Sequence, residues 1–224
     1  MNIHLIDQNN IEGEALTYLL KQKGYRVKYC NKINPINRSN LKEHLFFIID
    51  ADYLKKNYKS KGIEPGFKQK RTLILGQLNQ LYWMNFFSLS HTGFICKNTN
   101  VNYLMAILKE NGKRKLIIDD KIKKFINKTR FSQQKILFQG DIISPLTETE
   151  TKIIRQIGIG NSTRRIAKKW HKSEHTINNH RKNILNKIPF NGKYALYSFC
   201  IRYLDAINTI IFLNNHLKMI KSFT

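Results

Sequence analysis

The sequence predicts an α/β plus all-α chain. An N-terminal doubly wound (βα)5 domain covers residues 1–110, and a C-terminal four-helix domain covers 146–224. Three observations point there. In the first half, short apolar runs alternate with helically spaced ones, the rhythm of parallel strands joined by crossover helices. From Leu146 onward those runs give way to capped helical stripes. At 224 residues the chain exceeds one modal domain, and 42% hydrophobic content lets two small domains each bury a core.

Ile3–Ile6 reads as the first strand, Ile11–Lys23 as a helix with Leu16, Leu19 and Leu20 inward, and Tyr25–Cys30 as the second strand. Leu45–Ile49 (LFFII) is apolar without a break, as expected of a central parallel strand covered on both faces. Lys56–Arg71 is rich in Gly, Pro and Lys and reads as a mobile loop. Thr72–Leu75 and Gly93–Cys96 supply the fourth and fifth strands, and Val101–Lys109 closes the domain with Leu104, Ile107 and Leu108 on one side. Asp7, Asp50, Gly76 and Lys97 fall at the carboxyl ends of strands, where doubly wound sheets bind ligands. Residues 111–145 bridge the halves. They hold one short helix, with Ile122, Phe125 and Ile126 apolar, and then Arg130–Ser144, which has no clear period and reads as linker.

In the C-terminal domain, Thr147 to Glu150 is an [ST]-x-x-E capping box ahead of a helix with Ile153, Ile154 and Ile157 inward. Gly158–Gly160 ends it as a left-handed cap region. Ser162 caps a short helix in which Ile166 and Ala167 pack inward. After a turn at Trp170–Lys172, Ser173 caps the next helix, and Glu174 suits its positive end. In Thr176–Lys187, Ile177, Ile184 and Leu185 fall in one sector with Ile188, which must be buried. The opposite sector holds Asn178, Asn179, Lys182, Asn183 and Asn186, all donors and none acidic. Asn pairs bidentately with adenine, and Lys reaches guanine acceptors or a phosphate. Two helices joined by a short turn, the second polar outside, make the helix-turn-helix plan. From Ala195 a helical stripe continues through Leu196, Phe199, Cys200, Tyr203, Leu204 and Ile207 to Ile210, Ile211, Leu217 and Ile220.

On these residues the run from Leu146 to Ile188 resembles the LuxR/NarL (GerE-type) DNA-binding domain. Leu146, Thr147, Glu150, Gly160, Ser162, Ile166, Ala167, Ser173, Thr176, Ile177, His180, Ile184 and Lys187 match its pattern in order and spacing. Trp170, His171 and Pro189 depart from it. The resemblance implies that Asn178, Asn179 and Lys182 face bases, while Ser173, Thr176, His180, Arg181 and Lys187 hold phosphates. It also implies a fourth helix that packs on the bundle and often dimerises. The first half resembles, more weakly, the receiver domain of response regulators. Asp7, Asp50 and Lys97 match receiver-pocket positions, whereas Gln8 replaces the second acid and Gly76 the hydroxyl residue. Mg²⁺ wants charged oxygen ligands, so Gln8 weakens the metal site. Asp52 sits on the wrong strand to replace the lost acid. The expectation is a pseudo-receiver that keeps the pocket's remnants and does not depend on phosphorylation.

Net charge is +24, with 39 Lys+Arg against 15 Asp+Glu, so the surface attracts polyanions. Three cysteines without CxxC spacing argue for reduced thiols and a cytoplasmic address. The start lacks a basic-then-apolar signal, and no apolar run approaches the ~18 residues of a membrane span. His171 and His175 lack a third ligand, Gly158-Ile159-Gly160 lacks a dinucleotide fingerprint, and no nucleophile elbow appears. No enzyme, cofactor or metal is therefore expected. The reading is a sequence-specific transcriptional regulator that binds double-stranded DNA as a pre-formed homodimer. Its N-terminal domain is open to a partner protein or small ligand, and the receiver-like half and the extended C-terminal stripe serve as contact surfaces. A phosphorylatable response regulator and a non-specific architectural DNA-binding protein are the alternatives.

Overall fold

The computed structural model describes residues 1–31, 45–57, 71–87, 92–109, 117–138 and 145–221. The chain forms two compact units, one built on Met1–Lys123 and the other on Lys124–Met219.

In the first unit, β1 (Asn2–Ile6), β2 (Arg26–Cys30), β3 (Leu45–Asp50), β4 (Arg71–Gly76), β5 (Thr92–Cys96) and β6 (Ile117–Ile118) pair in the order β2-β1-β3-β4-β5-β6, all parallel. This is the expected doubly wound sheet with one strand added. Ile117 and Ile118, assigned from sequence to the bridging segment, extend the edge beside Gly93 and Phe94. Two residues carry too short an apolar run to stand out in sequence.

Strand alternation sends side chains to both faces. Ile3, Leu5, Phe46, Ile48, Leu73 and Ile95 meet Leu20 of α1 (Asn10–Gln22) and Leu104, Met105 and Leu108 of α3 (Val101–Lys109). The other parity includes Phe47, Ile49, Ile74 and Phe94, which are also buried. Of the α1 leucines only Leu20 is fully buried. Leu16 packs partly against the core, and Leu19, expected inward, is exposed. Helix α2 (Ala51–Asn57) follows β3 without a break. The loop expected at Lys56–Arg71 falls mostly outside the described residues.

Between β4 and β5 the chain forms a 3₁₀ helix, Leu78–Phe86, which has no amphipathic period and was not expected. It stays put because Leu81, Trp83 and Met84 are buried and the Gln80 Oε1 accepts from the Gln77 N–H at 2.8 Å.

What reads as linker carries two helices, and the second unit begins at Lys124, within the first of them. Helix α4 (Asp120–Ile126) buries Ile122, Phe125 and Ile126 as expected. Arg130–Leu137, expected to be irregular, is helix α5, capped by Thr129. Its polar face hides the period, because Gln133 and Gln134 are buried for their hydrogen bonds. Gln133 Nε2 donates to the carbonyls of Phe125 and Ile126, and Gln134 brackets the Leu146 N–H and carbonyl. Then come α6 (Glu148–Gly158), α7 (Thr163–Trp170), α8 (Glu174–Leu185), α9 (Ala195–Arg202) and α10 (Leu204–Lys221).

The continuous C-terminal stripe is thus two helices. Among the described residues no single helix is long and apolar enough to cross a membrane, and the α9–α10 pair bends by 65°. Tyr203 sits at the break, its ring packed on Phe138, Phe190 and Phe199. Tyr203, Ile207 and Ile210, expected to serve as a contact surface, are buried.

Candidate nucleic-acid interface

The interface is built on α7 and α8, which pack on each other and on α6. Ser162 caps α7 by accepting from the Arg165 N–H, and Ile166 and Ala167 are buried. His171 ends α7 in the left-handed region (φ 52°), the one non-glycine with positive φ among the described residues. That bend lets the Lys172 N–H reach the Ala167 carbonyl at 3.0 Å and turns the chain sharply into α8. Ser173 caps α8, accepting from the Thr176 N–H at 3.0 Å, and the two hydroxyls lie 2.8 Å apart.

Ile177 and Ile184 anchor α8 inward, with Ile188 buried just beyond it. Leu185 does not join them: it is 39% exposed, because α8 ends there and the chain turns away. The helix runs Glu174–Leu185, so Asn186 is its C-cap and Lys187 lies outside it. Asn178, Asn179, Lys182, Asn183 and Asn186 are all exposed. Asn179 Nδ2 lies 3.1 Å from His175 Nε2, one turn back. Thr176, His180 and Arg181 are half-buried beside this face. Arg181 donates to Thr163 Oγ1 at 3.2 Å, which ties α8 to the start of α7. Arg164, Arg165, Lys168, Lys169 and Lys172 are exposed as well, a basic flank not singled out from sequence.

Lys187, expected to hold a phosphate, pairs with Glu150 of α6. Its Nζ lies 2.8 Å from Glu150 Oε2 and donates to the Pro145 carbonyl at 3.2 Å. Glu150 also closes the capping box, accepting from the Thr147 N–H at 2.7 Å while Thr147 Oγ1 accepts from the Glu150 N–H. Burial works against ionisation of Glu150, but the hydrogen bonds from Lys187 and Thr147 outweigh it and hold the carboxyl below its ordinary range.

Residues 144–200 match the family described as "Bacterial regulatory proteins, luxR family". The second unit therefore carries a luxR-family domain. The chain is also 26% identical over 103 residues to a nitrate/nitrite response regulator protein homolog of Haemophilus influenzae. That match spans about half of each chain, 46% of this one and 46% of the relative. Among solved structures, RcsB from Salmonella enterica serovar Typhimurium bound to a promoter aligns at 17% identity and TM-score 0.44, covering 92% of this chain and 99% of that one. Full-length FixJ from B. japonicum aligns at 15% identity and TM-score 0.36, covering 94% and 97%.

In the first unit the strand ends bring the expected pocket residues together. Asp7 and Asp50 are buried at the ends of β1 and β3. Lys97, just past β5, places Nζ 2.5 Å from Asp50 Oδ2 and 3.7 Å from Glu12. The other Asp50 oxygen accepts from the Tyr53 N–H. Asp52, discounted in sequence, lies in the first turn of α2 and binds Lys97 at 3.2 Å and Gln80 Nε2 at 2.6 Å. Burial opposes the Lys97 charge, but Asp50 and Asp52 overcome it and raise the ammonium above its usual range. Asp7 is pushed up by burial, and the Asp50 charge adds to this against the Asn9 N–H.

These residues do not fit a strong Mg²⁺ site. Gln8 is neutral and exposed, and an ammonium already sits on the Asp50 oxygen. Nor does Gly76 merely lack a hydroxyl. A Cβ there would lie 2.7 Å from the Ala51 Cβ and 2.9 Å from both Gln80 Oε1 and Phe94 Cζ. Asp119 was also missed. Buried past β6, it accepts from the N–H groups of Cys96 and Ile122 and from Thr99 Oγ1, joining β5 to α4. The cysteines are free thiols, and burial pushes Cys96 and Cys200 up to about 12, out of reach of ready oxidation.

Proposed function

We propose that the chain is a sequence-specific DNA-binding transcriptional regulator that inserts α8 in the major groove and works without phosphorylation. The observation that carries this reading is the two-sided character of α8. Ile177 and Ile184 are buried, while Asn178, Asn179, Lys182, Asn183 and Asn186 stand out together with no acid among them. Such a face supplies amides for adenine edges and an ammonium for guanine. In this reading Asn178, Asn179 and Lys182 read bases. Ser173, Thr176, His180 and Arg181 position the backbone, helped by the basic flank of α7.

Independence from phosphorylation rests on the strand-end cluster. Lys97 neutralises Asp50, and Gln80 with Asp52 fills the side where a hydroxyl would act. The domain then serves as a fixed scaffold that a partner protein or small ligand can address. Two copies are needed to read two half-sites. Tyr194, which precedes α9, and Tyr197 and Ile201 on it are exposed at i, i+3 and i+7, an apolar stripe suited to a homodimer.

Selection from a random duplex library tests the reading. Wild type should enrich an adenine-containing half-site. Asn178→Ala and Lys182→Ala should each relax one position, at about 1–3 kcal/mol. Identical logos for wild type and Asn178→Ala would remove the base-reading assignment.

A further inference from the structure

We propose that Lys187 is a positioning residue that fixes the recognition helix through Glu150 and makes no phosphate contact; this deepens, and rests on, the DNA-reading role of α8. Glu150 is 4% exposed and Lys187 26%. One Glu150 oxygen takes both the Thr147 N–H and the Lys187 ammonium. If Lys187 swung out to a phosphate, it would leave a buried carboxylate without its counter-charge. A buried pair adds little net stability, but breaking it by removing one partner is costly. The ammonium is therefore held inside.

The geometry says what the tie does. Lys187 follows α8 by two residues, and its N–H donates to the Ile184 carbonyl at 2.9 Å. The lysine backbone and the last turn of α8 thus move together. Apolar contacts at Ile177 and Ile184 are non-directional and let a helix slide or rotate. Two directional ties remove that freedom: Arg181 to Thr163 on α7, and Lys187 to Glu150 on α6. Base reading needs side chains held within a fraction of an ångström, and these ties set the angle at which Asn178, Asn179 and Lys182 are presented.

The full chain and three variants, Glu150→Gln, Lys187→Met and the double, test this. Gln at 150 can still accept from the Thr147 N–H, so the capping box survives and only the ion pair goes. Each single variant should lower affinity for the duplex selected by wild type about tenfold, the scale of one charge-assisted hydrogen bond, and the double should bind no more weakly. The salt dependence on a random-sequence duplex should be the same for wild type and Lys187→Met. A slope reduced by about one unit in Lys187→Met, with Glu150→Gln binding as wild type does, overturns the proposal in favour of a phosphate contact. Thermal melting keeps the two claims separate. If wild type selects no sequence, the DNA reading fails. The tie then stands if the double melts with the worse single variant, and falls if the shifts add.

Discussion

Adding one methyl group at Gly76 tests how far the strand-end pocket has been rebuilt. Gly76 ends β4 at an ordinary φ, so the demand for glycine comes from packing and not from conformation. The methyl carbon of Gly76→Ala would lie 2.7 Å from Ala51 Cβ and 2.9 Å from Phe94 Cζ. Gln80 Oε1, also 2.9 Å away, belongs to a side chain tied to Asp52 and the Gln77 N–H. Ala51 opens α2, and the Phe94 ring is wholly buried, so neither can give way cheaply. Overpacking of this kind costs about 1–3 kcal/mol. With a urea slope of about 1–3 kcal/mol/M, the unfolding midpoint of the first unit should fall by about 1 M. Trp83, buried on the 3₁₀ helix, reports that unit by fluorescence once Trp170 of the second unit is replaced by Phe. A Gly76→Ala midpoint equal to that of the Trp170→Phe background would refute the packing argument. It would also reopen position 76 to the hydroxyl that a phosphate-responsive receiver uses.

Beryllofluoride with Mg²⁺ imitates an acyl phosphate. It should neither raise the melting temperature nor change the oligomeric state, because Lys97 already occupies the Asp50 oxygen. A Mg²⁺-dependent shift that vanishes in Asp50→Asn would restore a working receiver. Sedimentation at micromolar concentration should find a homodimer, and Tyr197→Glu with Ile201→Glu should yield monomers, since each buried apolar side chain contributes about 1.5–3 kcal/mol. A monomeric wild-type chain sinks that claim. Deleting residues 208–224 would instead strip buried Thr209, Ile210, Phe212 and Leu213 and unfold the end of the domain. Glu150 is held below its ordinary range, so its contribution is full above the unfolded carboxylate value of about 4.3 and is lost as pH falls through the lower folded value. Glu150→Gln should flatten that part of the acid-unfolding curve of the second unit; an unchanged acid limb would show that the carboxylate contributes nothing.

Local grammar was enough for much of this chain. The caps at Thr147, Ser162 and Ser173, the buried sector of Ile177 and Ile184, and the apolar runs of β1 to β5 depend on neighbours within a turn or a strand. Such signals survive in one dimension because the residues that make them are the residues that use them. The parallel order of the sheet followed from strand and helix alternation, and with it the meeting of Asp7, Asp50 and Lys97 at one edge. Folding alone decided the rest, because the partners lie far apart in sequence. Glu150 and Lys187 are separated by 37 residues, and only the fold sets their side chains together as an ion pair. Asp52 and Gln80, 28 residues apart, carry no motif, yet they close the pocket around Gly76. Arg130–Leu137 hid its helix behind glutamines that are buried to bond distant backbone, and the C-terminal stripe hid a 65° break that puts Tyr203 in the core. A polar residue written as surface becomes core wherever the fold supplies a hydrogen bond for it, and only the tertiary structure says where that happens.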